Sequence, residues 1–182
     1  RQSGVAEAMR ADSIAGPETR DISERSPERA TDRTTPECLR GLELAIRVKA
    51  RVVGEDFSEQ GLREMLNYGH TLGHAIEHAE RYQWRHGVAV AIGMMFAAEL
   101  GRMAGSLSDE AVERHRRVLT LLGLPQSYPA GRWPGLLATM QRDKKARAGM
   151  LRFIVLDDIA KPRVLAGVDQ SVLQFAYQEI AN

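Results

Sequence analysis

The sequence predicts a mainly helical domain with one small β-hairpin. From residue 37 onward, apolar residues recur at three- and four-residue steps, which is the spacing of amphipathic helices. Strand character is limited to two short apolar runs, 150–156 and 163–165, on either side of a polar turn. The length of 182 residues suits about one domain, and a hydrophobic content of 43% is enough to form a core.

Composition excludes several classes of protein. The 25 basic and 24 acidic residues give a formal charge of +1, so no global field attracts nucleic acid or an anionic membrane. The one cysteine, Cys38, excludes a disulfide framework and a cysteine-rich zinc module. The sequence contains neither a signal-peptide pattern nor an apolar run of about 18 residues. We expect a soluble, cytoplasmic protein without a nucleic-acid or membrane partner.

The N-terminal region differs from the rest of the chain. Residues 17–36 combine three prolines with charged and hydroxyl residues, a composition typical of a loop or disordered segment. A short helix is expected before it, over 4–11. The chain begins with Arg1 rather than methionine, which fits either a fragment of a longer protein or a lost start.

Three helices are predicted in the first half of the periodic region. The first covers 37–54 and presents one apolar stripe: Leu39, Leu42, Ile46, Ala50 and Val53. The second covers 59–80, although Gly69 and Gly73 within it each cost about 1 kcal/mol of helix propensity. The third, 87–103, is apolar on almost all sides, which predicts a buried core helix.

Capping and breaking residues define the later elements. Ser108 is typical of a helix N-cap, and Gly123 and Pro125 predict the end of that helix. A short helix is predicted over 134–142. The hairpin follows, and a last helix is predicted over 170–181.

Four polar residues at spacings of 4, 3 and 4 would share one face of the predicted helix over 59–80: Arg63, Asn67, His70 and His74. Polar groups are costly to bury without partners. A helix face with a cation, an amide and two imidazoles should therefore contact a metal, a charged ligand or water. Histidines four residues apart can bind one divalent ion. Thr71 occupies the position of the glutamate that follows the first histidine in zinc proteases, so a protease is excluded.

A third histidine, His86, precedes the apolar helix at 87–103. It suits either a neutral imidazole ligand or a helix cap, and the local pattern alone favours the cap. Other charged residues, including Lys49 and the sequence Asp143-Lys144-Lys145, are typical of a solvated surface when each is taken by itself. Glu7 by itself is typical of an acid at a helix end.

Together, these motifs resemble the C-terminal helical domain of the 3-dehydroquinate synthase family. The similarity implies that residues 1–182 form one domain. The match to the family is poor only over 12–40. It rests on the following segments: Ser3-Gly-Val-Ala-Glu7, Val48-Lys-Ala-Arg-Val-Val53, Glu59-Gln-Gly-Leu-Arg63, Leu66-Asn-Tyr-Gly-His-Thr-Leu-Gly-His-Ala-Ile-Glu77, His86-Gly87, Ala89-Val-Ala-Ile-Gly-Met94, Gly123-Leu-Pro125, Asp143-Lys-Lys145 and Gly149-Met-Leu-Arg152.

The resemblance implies a metal site beside a substrate site. The ligands of a zinc or cobalt ion would be Glu7, His70 and His86. Catalytic roles would belong to His74, Lys49 and Glu59, with His74 facing the anionic end of the substrate. The substrate-binding residues would be Arg10, Lys49, Arg63, Asn67, His74, Lys144 and Lys145. A carboxylate and two imidazoles leave coordination positions open for a substrate hydroxyl.

The resemblance also implies a reaction in the shikimate route to aromatic amino acids. The substrate would be a small anionic sugar-acid phosphate, 3-deoxy-D-arabino-heptulosonate 7-phosphate. It would be oxidised transiently by NAD, lose phosphate, be reduced again and close by an aldol step to 3-dehydroquinate. The full-length enzyme would be a homodimer. The implied fold is the α domain shared with iron-containing alcohol dehydrogenases.

The sequence departs from the family pattern in four ways, one of which is the altered segment Ala11-Asp-Ser-Ile14 after Glu7. Arg10 replaces a lysine, Val88 replaces a frequent glutamate, and the 182 residues contain no glycine-rich phosphate fingerprint. NAD would therefore be bound mainly by an N-terminal domain absent from this chain, which we expect to be inactive alone.

Two kinds of alternative remain open. One is another sugar phosphate cyclase or a metal-dependent alcohol dehydrogenase, although a simple alcohol needs no anion-binding residues such as Arg63. The other is a non-catalytic helical remnant or interaction module.

Overall fold

The computed structural model describes residues 25–32, 34–55, 62–146, 150–158 and 160–182. In chain order, its elements are α1 (Pro27–Thr31), α2 (Pro36–Glu55), α3 (Leu62–Met65), α4 (His70–Ala79), α5 (His86–Met103), α6 (Asp109–Leu121), α7 (Trp133–Ala146), β1 (Arg152–Asp158), β2 (Lys161–Ala166) and α8 (Gln170–Gln178). A short 3₁₀ turn, Ala130–Arg132, precedes α7. The predicted mainly helical fold with one hairpin is confirmed.

Helix α5 forms the centre of the core. All residues from 89 to 101 are buried, and α4, α6, α8 and β1 pack around the helix. A helix covered on several sides needs an apolar surface all round rather than one stripe. The prediction of a buried core helix is therefore confirmed.

One acidic residue interrupts this apolar helix. The side chain of Glu99 is 2% exposed and accepts a hydrogen bond of 2.8 Å from Arg102 Nε. Its other carboxylate oxygen accepts from Arg116 on α6. A buried carboxylate is tolerated only with such partners, so this ion-pair network fixes α6 against α5.

The local signals for the later elements are also confirmed. The Ser108 hydroxyl accepts a hydrogen bond from Ala111 N at 3.2 Å, as an N-cap should. Helix α6 ends at Leu121, just before Gly123, whose φ of +64° is left-handed. Strands β1 and β2 pair antiparallel, which confirms the hairpin. Helix α8 forms as predicted but ends about one turn earlier, at Gln178. No helix within the described residues is long and apolar enough to cross a membrane.

Two further predictions are wrong. Residues 27–31 form helix α1, although the proline-rich composition of 17–36 predicted a loop, because proline is well tolerated in the first turn of a helix. Helix α7 continues to Ala146 instead of ending at 142, so Lys144 and Lys145 belong to the helix rather than following it. The helix predicted over 4–11 lies outside the described residues.

The predicted helix over 59–80 is also wrong, because the chain breaks it into α3 and α4. Between them, Gly69 has a φ of +79°, a left-handed conformation that a continuing right-handed helix does not contain. Arg63 and Asn67 therefore do not share a helix face with His70.

Glycines in both helices explain this break. A Cβ added at Gly93 of α5 would lie 1.9 Å from the carbonyl oxygen of Gly69. A Cβ at Gly69 would lie 2.7 Å from the backbone nitrogen of Met94, and one at Gly73 would lie 3.2 Å from Val90 Cα. The glycines that weaken the predicted helix thus allow the backbones of α4 and α5 to make contact.

Gly93→Ala is expected to destabilise the fold by about 1–3 kcal/mol, because the new methyl group would overlap a backbone carbonyl. Gly101→Ala in the same helix is the matched control. Its Cβ would meet nothing closer than 3.4 Å, and alanine has up to about 1 kcal/mol better helix propensity. Urea unfolding of both variants measures the difference. Equal stability of the two variants would show that the contact at Gly69 is not tight.

Candidate functional site

Three histidines come together where α4 crosses the beginning of α5. His70 and His74 lie one helical turn apart on α4, with ring centroids 5.2 Å apart. His86, the first residue of α5, has its ring 5.1 Å from that of His70 and 5.9 Å from that of His74. The sequence spacing explains the first pair, whereas the packing of α4 against α5 adds the third ring.

Two of these imidazoles are held through the same nitrogen. His70 Nδ1 donates to the carbonyl oxygen of Tyr68 at 3.3 Å, and His86 Nδ1 donates to Glu77 Oε1 at 3.0 Å. A neutral imidazole has one donor and one acceptor nitrogen. With Nδ1 donating to oxygen acceptors, the lone pair on each neutral ring belongs to Nε2, the nitrogen through which such a ring would bind a metal.

Tyr68 is itself fixed from the core. Its side chain is fully buried. The hydroxyl donates a hydrogen bond to His115 Nε2 at 3.2 Å, and His115 Nδ1 in turn donates to the carbonyl oxygen of Ala111 at 2.7 Å. Burial raises the pKa of Tyr68 well above its usual value, so the hydroxyl keeps its proton. The residue that orients His70 is thereby attached to α6.

Glu77 is the site residue to which the sequence analysis gave no role. It lies three residues after His74 on α4, and its side chain is only 13% exposed. Its carboxylate and the nearest nitrogens of His74 and His86 all lie within 4.8 Å of one another. The signal was present in the sequence, since positions 70, 74 and 77 follow the spacing of one helix face.

The capping interpretation of His86 is wrong. Arg85 is the N-cap residue of α5 and makes no side-chain cap. The His86 ring instead contacts Glu77, nine residues earlier in the chain.

The described residues place the other predicted site residues only in part. Asn67 is exposed in the turn between α3 and α4, and its carbonyl accepts from His70 N at 2.9 Å. The backbones of four more residues lie in helices, and their side chains are outside the description: Lys49 in α2, Arg63 in α3, and Lys144 and Lys145 in α7. Three lie outside the described residues altogether: Glu7, Arg10 and Glu59.

Helix α3 is attached to the start of the hairpin. Arg152 forms an ion pair of 2.7 Å with Glu64, and its carbonyl accepts from the Thr71 hydroxyl at 3.1 Å. The beginning of β1 therefore holds both α3 and the first turn of α4. These contacts place Arg152, the last residue of the motif Gly149-Met-Leu-Arg152, beside the helix that carries His70 and His74.

The donor set fits a divalent transition metal. Imidazole nitrogen and carboxylate oxygen are ligands that zinc and cobalt accept, and in two of the rings the hydrogen bond at Nδ1 assigns the lone pair to Nε2. His70 is buried, whereas His74 is exposed and His86 partly exposed. The cluster is thus open to a ligand on one side.

The family model of the 3-dehydroquinate synthase C-terminal domain matches residues 4–146. The chain belongs to the 3-dehydroquinate synthase family. It is 69% identical over 179 residues to the 3-dehydroquinate synthase of Leifsonia xyli subsp. xyli, covering 98% of this chain and 50% of that protein. The Arthrobacter sp. enzyme is 55% identical over 180 residues, with 99% and 50% covered. The chain spans about half the length of these relatives.

Solved structures agree with the fold. The 2-epi-5-epi-valiolone synthase of Streptomyces hygroscopicus subsp. jinggangensis, determined with NAD⁺ and Zn²⁺ bound, has a TM-score of 0.87 at 22% identity over 98% of this chain and 50% of its own. A 2-deoxy-scyllo-inosose synthase complexed with carbaglucose-6-phosphate, NAD⁺ and Co²⁺ has a TM-score of 0.77 at 23% identity, with 98% and 52% covered. These likenesses confirm the fold class, and the much higher identities above favour the dehydroquinate synthases over the alternatives.

Proposed function

We propose that this chain forms the metal- and substrate-binding half of a 3-dehydroquinate synthase. Its substrate would be 3-deoxy-D-arabino-heptulosonate 7-phosphate and its products 3-dehydroquinate and phosphate. The observation that supports this most directly is the convergence of His70, His74 and His86 in a chain of that family.

Glu7, His70 and His86 would bind the metal, a zinc or cobalt ion. The hydrogen bonds at Nδ1 of His70 and His86 support this assignment, because they leave Nε2 of each ring as the ligand atom. When bound, the ion supplies Lewis-acid polarisation of a substrate hydroxyl. His74, exposed beside the other two rings, would exchange a proton with the substrate as a general acid–base.

The substrate has a carboxylate and a phosphate, and both need cationic partners. Arginine binds such groups through two parallel hydrogen bonds, and lysine binds them as a point charge. We assign this work to Arg10, Lys49, Arg63, Lys144 and Lys145. The Asn67 amide would bind a hydroxyl, and Glu59, together with Lys49, would assist proton transfer.

NAD would be bound mainly by a second, nucleotide-binding half. The 182 residues contain no glycine-rich phosphate fingerprint, and the 2-epi-5-epi-valiolone synthase of the same fold was determined with NAD⁺ bound. We further propose that the assembled enzyme is a homodimer.

The metal assignment predicts one equivalent of bound zinc or cobalt. His70→Ala and His86→Ala should each weaken binding by more than about 100-fold, exceeding the usual effect of a supporting residue. His78→Ala is the matched control, because His78 is an exposed histidine on the same helix whose ring contacts Arg142 and Tyr82. The metal content of the purified protein measures the stoichiometry, and competition with a chromophoric chelator measures the affinity. Unchanged stoichiometry in the first two variants would refute the assignment.

The substrate assignment predicts that Arg63→Met weakens binding of a carboxylate-bearing phosphonate analogue. The expected loss is about 1.5–3 kcal/mol, the value of a hydrogen bond to a charged group. Calorimetry on the zinc-loaded protein measures it. Arg117→Met, at an exposed position of α6, should change nothing. An unchanged affinity in Arg63→Met would mean that Arg63 is a surface residue without a role in binding.

The proposal also predicts that the 182 residues alone make no 3-dehydroquinate, even with zinc and excess NAD. Hydride transfer needs the acceptor held against the reacting carbon, and that positioning accounts for a large part of the rate. Phosphate release from the heptulosonate phosphate is the assay, with and without a family nucleotide-binding half joined upstream. Turnover by this chain alone would contradict the half-enzyme proposal. Inactivity after joining would favour the non-catalytic remnant, and Arg10→Lys would be the first reversion to test.

A further inference from the structure

The carboxylate of Glu77 contacts the back of the His86 ring. We propose that Glu77 is a positioning residue: its carboxylate accepts a hydrogen bond from His86 Nδ1, and this bond fixes the ring and the tautomer that present Nε2 to the divalent cation. The presentation of Nε2 to a cation rests on the metal centre proposed above. The bond between Glu77 and His86 belongs to the protein without metal.

The contact has the geometry and burial that this role requires. The Nδ1–Oε1 distance is 3.0 Å, within the range of a good hydrogen bond. An ionised carboxylate has only acceptor atoms, so the proton must lie on Nδ1. Because the Glu77 side chain is 13% exposed, water competes little for its oxygen. A carboxylate in this position is the usual outer-shell partner of a metal-binding histidine.

The conformation of the loop between α4 and α5 holds Glu77 and His86 close together. Arg81 and Tyr82 both have positive φ values, 52° and 58°, and Tyr82 N donates to the Glu77 carbonyl at 2.7 Å. Two consecutive left-handed residues are unusual outside glycine and reverse the chain sharply. The reversal brings the first residue of α5 back beside the last turn of α4.

Tyr128 holds this loop from the other side. Its hydroxyl donates to Glu80, and its ring packs edge-on against Trp84 with the centroids 5.6 Å apart. The loop is therefore anchored at both ends of the reversal. The spacing of Glu77 and His86 is consequently a property of the folded chain before any metal binds.

Glu77 could instead be a ligand itself, since its oxygen lies within 4.8 Å of the nearest nitrogens of His74 and His86. The observed hydrogen bond favours the positioning role, because Oε1 is already engaged with Nδ1. Glutamine distinguishes the positioning role from the ligand role, because it supplies an uncharged acceptor in place of the carboxylate. A glutamine keeps a carbonyl oxygen for Nδ1–H, whereas it is a poor substitute for a carboxylate ligand.

The first test needs no metal. ¹⁵N–¹H correlation of the imidazole in the metal-free, full 182-residue chain, with the ring neutral, reports which nitrogen of His86 bears the proton. We expect Nδ1–H in the unmodified protein and in Glu77→Gln, and a shift to Nε2–H in Glu77→Leu. Glu99→Gln, which alters a buried carboxylate in a different ion pair, is the control for general destabilisation and should keep Nδ1–H. Nε2–H in the unmodified protein would overturn the proposal.

The second test uses Co²⁺ alone as the probe. Glu77→Leu should weaken Co²⁺ binding about 10- to 100-fold, whereas Glu77→Gln should recover most of the affinity with an unchanged visible spectrum. Equal losses in both variants, with a spectrum of changed coordination, would make Glu77 a ligand and overturn the positioning role. If the tautomer pattern holds but the unmodified protein binds no Co²⁺, the role of Glu77 stands and the proposed metal function fails.

Discussion

The backbone contact between Gly69 and Gly93 is the constraint on which the histidine site depends. A Cβ on Gly93 would lie 1.9 Å from the Gly69 carbonyl oxygen, so helices α4 and α5 cross at a separation that only glycine allows. The same crossing gives Gly69 its left-handed φ of +79° and starts α4 at His70. Two histidines of α4 and the first residue of α5 then meet without any long side chain having to span a gap.

The scaffold behind the site is fixed by buried polar contacts. Tyr68 joins His70 to His115 on α6, and Glu99 joins α5 to Arg116 on the same helix. Such groups are costly to bury without partners, and each has one here. Because the rings of His70 and His86 are oriented before a ligand arrives, little conformational entropy of these two side chains has to be lost on binding.

The electrostatic setting of the site favours anions. His70 begins α4 and His86 begins α5, so the positive ends of two helices lie beside the ring cluster. A divalent cation at such a position benefits from a negatively charged ligand or neighbour, which is consistent with a carboxylate at the site. The same field would suit the carboxylate and phosphate groups of the substrate proposed above.

The sequence by itself determined the features that depend on neighbouring residues. The apolar surface of α5, the Ser108 cap, the hairpin and the one-turn spacing of His70 and His74 are local patterns. The family followed from short motifs in order along the chain. Helix propensity and side-chain periodicity act over a few residues, so they can be predicted without knowing the fold.

Tertiary structure alone decided where the predicted helix over 59–80 breaks and how the site is assembled. The break at Gly69 exists because Gly93, far away in the chain, packs against it. The contacts of Glu77 with His86 and of Tyr68 with His115 span 9 and 47 residues. Contacts of this kind depend on how the helices cross. Local propensity cannot specify that crossing, because the free energy that selects it comes from packing across the core.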